Sequence, residues 1–195
     1  MTEEKPRRVF LAMDMPGSVK VYLTSVQETL KYVLENVRWT RPKGIHLTLK
    51  FFGNIVQSDI ARISDVVERN TKKVSPLILG IEHMGAFPNL QRPRVLWLGV
   101  SGEVDKLKNL QTAIDDDLDR CGFPKEGKKF SPHLTLGRAR SSRGIILGLP
   151  EAANRLDRGE IEPFQSTGLT LFQSELKPGG AVYTVLRHFP FERMI

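Results

Sequence analysis

The tetrapeptide His-Leu-Thr-Leu occurs twice in this chain, at residues 46–49 and again at 133–136. Strict alternation of polar and apolar residues suits a half-buried strand, because successive side chains point to opposite faces. Each copy therefore predicts one imidazole and one hydroxyl on an open face. Leu47 and Leu49, or Leu134 and Leu136, then pack behind it. A chain that presents this surface twice must bring two similar strands to two similar places, which points to a fold with matching halves.

The surroundings of the two copies repeat as well. Residues 8–13 read as a strand. Pro16 then opens a helix with Val19, Leu23, Val26, Leu30 and Val33 or Leu34 at helical spacing. Residues 45–52 carry the first copy and are closed by Gly53-Asn54. In the second half, residues 94–100 read as a strand. Val104, Leu107, Leu110, Ile114 and Leu118 mark a helix, and residues 130–137 carry the second copy. Between the halves, Ile60, Ile63, Val66 and Val67 mark a helix and residues 77–87 a strand. A loop with a short helix fills 141–158. Residues 169–172 and 182–189 form a closing hairpin around Pro178-Gly179-Gly180. The expected fold class is α+β and bilobal. It has two pseudo-symmetric lobes, each with a largely antiparallel sheet and helices outside, and a groove between them. The whole chain, 1–195, is expected to form a single domain of this kind.

Charge bears on the partner. Lys plus Arg number 29 against 22 Asp plus Glu, a formal charge of +7, which points to an anionic partner and first to nucleic acid. Arg38, Arg41 and Lys43 precede the first copy. Lys125, Lys128 and Lys129 precede the second, and Arg138, Arg140 and Arg143 follow it. Basic charge crowding both histidines is what a phosphate site requires. No apolar run is long enough to span a membrane, and the N-terminal residues show no secretory pattern. The lone Cys121, read as a helix-end residue, excludes an internal disulfide and suits a reducing compartment. A cytoplasmic monomer without membrane attachment is expected.

The motif permits a specific chemistry. An unperturbed histidine titrates near pH 6.5, so one imidazole can take a proton from water while the other gives one to a departing oxygen. Thr48 and Thr135 can donate to phosphate oxygens as charge builds. A strained cyclic phosphodiester suits such a site. No metal or cofactor is expected, because HxxxH, CxxC, Asp-rich, GxxxxGK, GxGxxG and GxSxG patterns are all absent. His83 and His188 lack matching neighbours and read as structural or surface residues.

These residues resemble the 2H phosphoesterase superfamily, named for two His-x-Thr-x motifs. Within it they are similar to the RNA 2′,3′-cyclic phosphodiesterases, also described as 2′-5′ RNA ligases. The likeness extends to Arg7-Arg8-Val9-Phe10-Leu11-Ala12, to Val37-Arg38-Trp39-Thr40-Arg41-Pro42 and to Arg94-Val95-Leu96-Trp97-Leu98-Gly99-Val100. It also takes in Phe130-Ser131-Pro132 before the second motif, and Ser174-Glu175-Leu176-Lys177-Pro178 with Val182-Tyr183-Thr184-Val185-Leu186. The resemblance implies a bilobal fold with a basic groove. It also implies hydrolysis of an RNA-terminal 2′,3′-cyclic phosphate to a 2′-phosphomonoester. It implies His46 as proton donor and His133 as proton acceptor, roles that two identical motifs do not separate. Thr48 and Thr135 would bind phosphate, Arg138 would contact phosphate or nucleotide, and Phe51 would offer a base-stacking platform.

Two of these positions conflict with strand parity. Arg138 and Phe51 each lie five residues beyond their histidine, so a regular strand turns both away from it. A bulge at Gly137 would restore Arg138. No such residue follows the first motif, and a core phenylalanine is the competing reading of Phe51. Two other functions use the same residues. One is ligation of a cyclic end to a 5′-hydroxyl, against which water at about 55 M competes. The other is a module that binds RNA or nucleotides without turnover.

Overall fold

The alternation at both motifs is a strand alternation. The computed structural model describes residues 5–140, 146–156, 161–178 and 180–192. β1 (Arg7–Asp14) leads to α1 (Gly17–Val33), β2 (Val37–Trp39), a 3₁₀ turn at Pro42–Gly44 and β3 (His46–Ile55). α2 (Gln57–Thr71), β4 (Leu77–Phe87), β5 (Val95–Gly102), α3 (Val104–Arg120) and β6 (His133–Ala139) follow. α4 (Leu149–Leu156), β7 (Phe164–Ser166), β8 (Gly168–Lys177) and β9 (Gly180–Pro190) complete the order. The apolar positions that mark α1 are its buried face: Val19, Leu23, Val26 and Leu30 are buried, with Leu34 just beyond, while Val33 is exposed.

The sheet order is β7-β4-β5-β6-β3-β1-β8-β9, with β2 beside β6. All pairings are antiparallel. The order reads the same way from both ends. The motif strands β3 and β6 are innermost. Each is flanked by the strand that opens its half (β1 or β5), and then by β8 or β4. The halves meet at one registered pair, Leu47 with Leu134, both fully buried. Helices pack in a matching way, α1 with α4 and α2 with α3, while α2 lies on β8 and β9 and α4 on β4. The expected bilobal α+β architecture is therefore present, with both lobes sharing one sheet.

Three details differ from the sequence reading. β2, β7 and the 3₁₀ turn fall outside it, because three residues are too few to show a period. β3 does not stop at Gly53-Asn54 but runs to Ile55, because Gly53 adopts a positive φ of 72° beside an extra residue at Phe52. The third difference is the bulge.

In β3, Leu11 opposes Lys50 while Ala12 opposes Thr48, so Leu49 is unmatched. In β6, Leu96 opposes Gly137 while Trp97 opposes Thr135, so Leu136 is unmatched. Both motif strands therefore bulge at the same motif position, one residue before Gly137. The extra residue resets the alternation. Leu49 and Lys50 are both buried, as are Leu136 and Gly137, and Phe51 and Arg138 return to the open face. Parity misleads for both residues, and the bulge expected at Gly137 alone is corrected to a matched pair at Leu49 and Leu136.

Each bulge is braced by a helix from the other half. Buried Gln27 of α1 donates through Nε2 to the carbonyls of Leu136 and Thr40, both at 2.8 Å. The Thr40 N–H also donates to Leu136 O at 2.9 Å. On the other side, the Lys50 ammonium, in a residue only 3% exposed, donates to Asp115 Oδ1 of α3 at 2.5 Å and to the Pro124 carbonyl at 2.8 Å. Removing one member of a buried ion pair costs about 3 kcal/mol or more, and orphaning buried acceptors costs about 1–3 kcal/mol. Urea unfolding should therefore show Lys50→Met less stable by about 3 kcal/mol and Gln27→Leu by about 2 kcal/mol. Glu28→Gln, on the exposed side of α1, should stay within about 0.5 kcal/mol.

Candidate active site

The Leu47–Leu134 pair sets the geometry of the site. In an antiparallel register centred there, Thr48 lies opposite His133 and His46 opposite Thr135. With both leucines pointing into the core, all four polar side chains share the other face. The two histidines are then diagonal neighbours, about 7–8 Å apart, a span that a phosphate group can bridge.

His46 stands on an aromatic bed. Its ring stacks on buried Phe10 at 4.6 Å between centroids and meets Tyr183 edge-on at 5.2 Å, with Phe172 at 6.1 Å. Burial against these rings lowers its pKa from 6.5 to about 4. A hydrogen bond to the Gly44 backbone and the charge of Asp14 oppose that shift, and Lys20 adds to it. Asp14 is the β1 residue directly across from His46.

His133 is built by the equivalent strands. Phe87 meets it edge-on at 5.0 Å and Trp97 lies at 6.3 Å. Trp97 can lie there because Gly85, its partner on β4, leaves the room: a Cβ at that position would come within 2.3 Å of the indole. His133 Nδ1 is 2.7 Å from the Ser131 carbonyl, which can only accept, so the ring carries its proton on Nδ1 and keeps Nε2 free. Both histidines thus bond to the backbone two residues back, Gly44 and Ser131. Burial lowers the His133 pKa, against the Ser131 bond and with help from the Arg138 charge.

A groove of about 1380 Å³ opens on this face and is lined by Thr48, Thr135, His133, Arg138 and Phe51 among others. His46 is set back from it on Phe10. Tyr183 stands beside this set-back ring. It touches His46, and burial raises its pKa while the charges of Arg138 and Arg8 lower it. The charge of Arg138 thus bears on both Tyr183 and His133. Phe51 is 52% exposed, so it is no core residue. Arg38 is the registered partner of Arg138 across β2 and β6. Like charges directly opposite repel, and an anion between them relieves that. Among the described residues no cluster of three or more His, Cys, Asp or Glu could hold a metal ion.

A family model described as the 2′-5′ RNA ligase superfamily matches residues 33–177. The chain belongs to the 2′-5′ RNA ligase superfamily. A curated relative from Methanothermobacter thermautotrophicus, named RNA 2′,3′-cyclic phosphodiesterase, is 33% identical over 182 residues, 93% of this chain and 97% of the relative. One of the same name from Archaeoglobus fulgidus is 32% identical over 93% of this chain and 99% of its own length. The fold is that of Escherichia coli LigT in its apo form, with a TM-score of 0.73 at 22% identity over 97% of this chain and 99% of that one. A protein from Thermus thermophilus, TT0787, gives a TM-score of 0.75 at 24% identity over 94% of this chain and 97% of that one.

In this superfamily member the other expected residues fall into place unevenly. Residues that the motif reading does not single out, namely Phe10, Phe87, Trp97, Phe172 and Tyr183, form the walls around the two imidazoles. Their only signal in sequence is aromatic character on strands. His188 bonds through Nδ1 with Thr170 Oγ1 at 3.0 Å, a structural role as expected. His83 faces Glu82 at 3.5 Å and reaches the far side of Trp97. Cys121 caps the end of α3. Arg143 lies outside the described residues. No helix among the described residues is long and apolar enough to cross a membrane.

Buried histidines tie stability to pH. The unfolded chain takes up a proton at His46 near pH 6.5 and the folded chain only near 4. Between those values the unfolded state binds more protons, so stability is lost as pH falls through this window. For His46 the loss from pH 7 to pH 5 is about 2 kcal/mol. His133 acts in the same direction. Urea midpoints compared at pH 7 and pH 5 should show a smaller fall in His46→Gln than in the parent.

Proposed function

We propose that this protein hydrolyses RNA ends bearing a 2′,3′-cyclic phosphate to 2′-phosphomonoesters, without a metal, by paired histidine catalysis. Two curated relatives of that name at 32–33% identity over nearly the whole chain support the phosphodiesterase class. The mechanistic reading rests chiefly on one feature of the fold: the Leu47–Leu134 register sets His46 and His133, each bonded to the backbone two residues back, on one face of adjacent strands.

The charges near the two rings differ. Asp14 sits across from His46 and favours its protonated form, opposed by Lys20, which is ion-paired with Asp14, while Arg138 disfavours a proton on His133. The position on β5 equivalent to Asp14 is Gly99, across from His133, and the carboxylate beside it is that of Glu82 on β4, which also faces His83. We assign His46 as the donor and His133 as the acceptor, the roles that the likeness to the 2H phosphoesterases implies. In the empty site burial keeps both neutral near pH 7. The phosphodiester anion supplies the charge that holds a proton on His46.

The reaction then balances as follows. His133 Nε2 takes a proton from water as the water oxygen bonds to phosphorus. Thr48, Thr135 and Arg138 hold the non-bridging oxygens as their charge grows. The bond from phosphorus to O3′ breaks, and O3′ takes the proton from His46. The product carries a 2′-phosphate and a free 3′-hydroxyl, and exchange with solvent resets the two rings. Phe51, exposed beside Thr48, offers its ring face to the terminal base.

General acid or base catalysis contributes about 10²–10⁴-fold. Accordingly, His46→Ala and His133→Ala should each lower kcat by at least a hundredfold while retaining the parent's far-UV spectrum. A substrate with sulfur at the 3′ bridging position needs no proton on its leaving group. It should rescue His46→Ala and leave His133→Ala inactive; the opposite pattern would reverse the two roles. EDTA should leave the rate unchanged. Because both free-enzyme histidines titrate below 6.5, kcat/KM should peak on the acid side of that value. A maximum above pH 7.5 would contradict the assignment.

A further inference from the structure

We propose that Asp14 and Lys20 are positioning residues for His46: an ion pair from strand to helix that holds a part-neutralised carboxylate beside the ring and so sets how readily His46 hands its proton to the departing oxygen. The consequence for turnover rests on the proposed function, while the pair's hold on His46 rests on the fold. Asp14 ends β1, directly across from His46 on β3. Side chains directly opposite on one face of an antiparallel pair stand with their Cβ atoms about 4.5–5.5 Å apart. The β1–β8 pairing stops at Ala12, so His46 is the one cross-strand neighbour of Asp14 among the described residues. Met15 and Pro16 then turn the chain straight into α1. The first helical turn, closed by the Lys20 N–H on the Pro16 carbonyl at 3.0 Å, brings Lys20 back to the strand end. Its ammonium donates to Asp14 Oδ1 at 2.8 Å, and the Met15 N–H donates to the same oxygen at 2.9 Å. The carboxylate is thereby fixed from two directions beside the ring.

The second half has no such tie between strand and helix. Gly99 stands across from His133, and the lysine near the start of α3, Lys106, is ion-paired with Glu103 at that helix's own start. Around His46 the elements contribute little other charge. β1 supplies Asp14 and α1 supplies Lys20; the 3₁₀ turn supplies the Gly44 backbone. β8 brings Phe172, and β9 brings Tyr183, whose hydroxyl burial keeps neutral while Arg138 and Arg8 bear on it. Against the burial of the ring, Asp14 raises its proton affinity and Lys20 lowers it. Left bare, Asp14 would repel a phosphodiester and hold the His46 proton tightly; Lys20 offsets both effects. Among the described residues the one ion pair of Lys20 is with Asp14. Without that carboxylate the long side chain is free to turn into water, where its charge is screened. The influence of Lys20 on the ring therefore depends on Asp14, and the two charges act as one unit.

NMR titration of the His46 ring with isotope-labelled histidine, its signal assigned through His46→Gln, tests this. The variants are Asp14→Asn, Lys20→Met, Lys20→Arg and the double variant Asp14→Asn/Lys20→Met. Asparagine keeps an oxygen for the Met15 N–H, so the strand end is retained. Relative to the parent midpoint of about 4, Lys20→Met should titrate about half a pH unit higher, roughly a threefold gain in proton affinity, and Asp14→Asn should titrate lower. The double variant should match Asp14→Asn, the non-additivity of two groups that act together, and Lys20→Arg should match the parent. In turnover at pH 7, Asp14→Asn should lower kcat about tenfold on the cyclic end, on the order of one unit of proton affinity. On the substrate with sulfur at the 3′ bridging position, which needs no proton, the loss should stay below about twofold. A merely structural role would slow both substrates alike. That result would overturn the inference, as would an unmoved midpoint in Lys20→Met or an equal rise with and without Asp14. A parent that opens no cyclic end would defeat the proposed function, while opposed shifts of the His46 midpoint would still sustain the pair's hold on the ring. Normal turnover with unmoved midpoints would do the reverse.

Discussion

Leu49 and Leu136 are each one residue more than the neighbouring strand can match, and the direction of every later side chain on the motif strands depends on them. Without the bulge, Phe51 and Arg138 would face the core and Lys50 would face water. With it, a histidine, a threonine and a fifth residue share one surface in each half, and Lys50 is driven inward as a buried cation. A bulge leaves backbone groups unmatched, and buried carbonyls left unmatched are costly. Gln27 and the Thr40 N–H meet that requirement at Leu136. In the other half, the Lys50–Asp115 pair ties the residue just after Leu49 to α3. The braces are exchanged: α1 holds the second motif strand and α3 the first. The internal repeat is therefore not two independent units side by side but two that complete each other.

The two halves are not identical around their motifs. Position for position, the halves place Ala12 against Trp97, Asp14 against Gly99 and Phe51 against Arg138. These are the substitutions that distinguish one identical motif from the other. Asp14 stands across from one ring and Arg138 lies near the other, while Phe51 and Arg138 both line the groove. Burial lowers the proton affinity of both histidines, and the charges near them differ.

Much of this was legible in sequence. The two His-Leu-Thr-Leu strands, the helices marked by Val19 through Leu30 and by Leu107 through Leu118, and the bilobal arrangement follow from period and repetition. The open face of Phe51 did not. Strand parity is a local rule, and the bulges that break it are braced from far along the chain, by Gln27 at 109 residues from Leu136 and by Asp115 at 65 residues from Lys50. Leu49 looks like any strand leucine. Tyr183 was equally hidden, because its place depends on β9 folding back beside β8 and β1. Burial of a histidine on Phe10 is likewise a property of three strands, not of the four letters that announce it.

The assembly of the His46 pocket carries a kinetic meaning. Phe172 and Tyr183, which wall in that ring, come more than 120 residues after it in the chain. Contacts of such long sequence separation form slowly, because the entropy of closing the intervening chain must be met first. A nascent polypeptide that has already emerged with its first motif strand still has His46 open to water, with an ordinary proton affinity and no aromatic wall. The site matures last, when the final hairpin docks, and competence to act on RNA arrives with completion of the sheet.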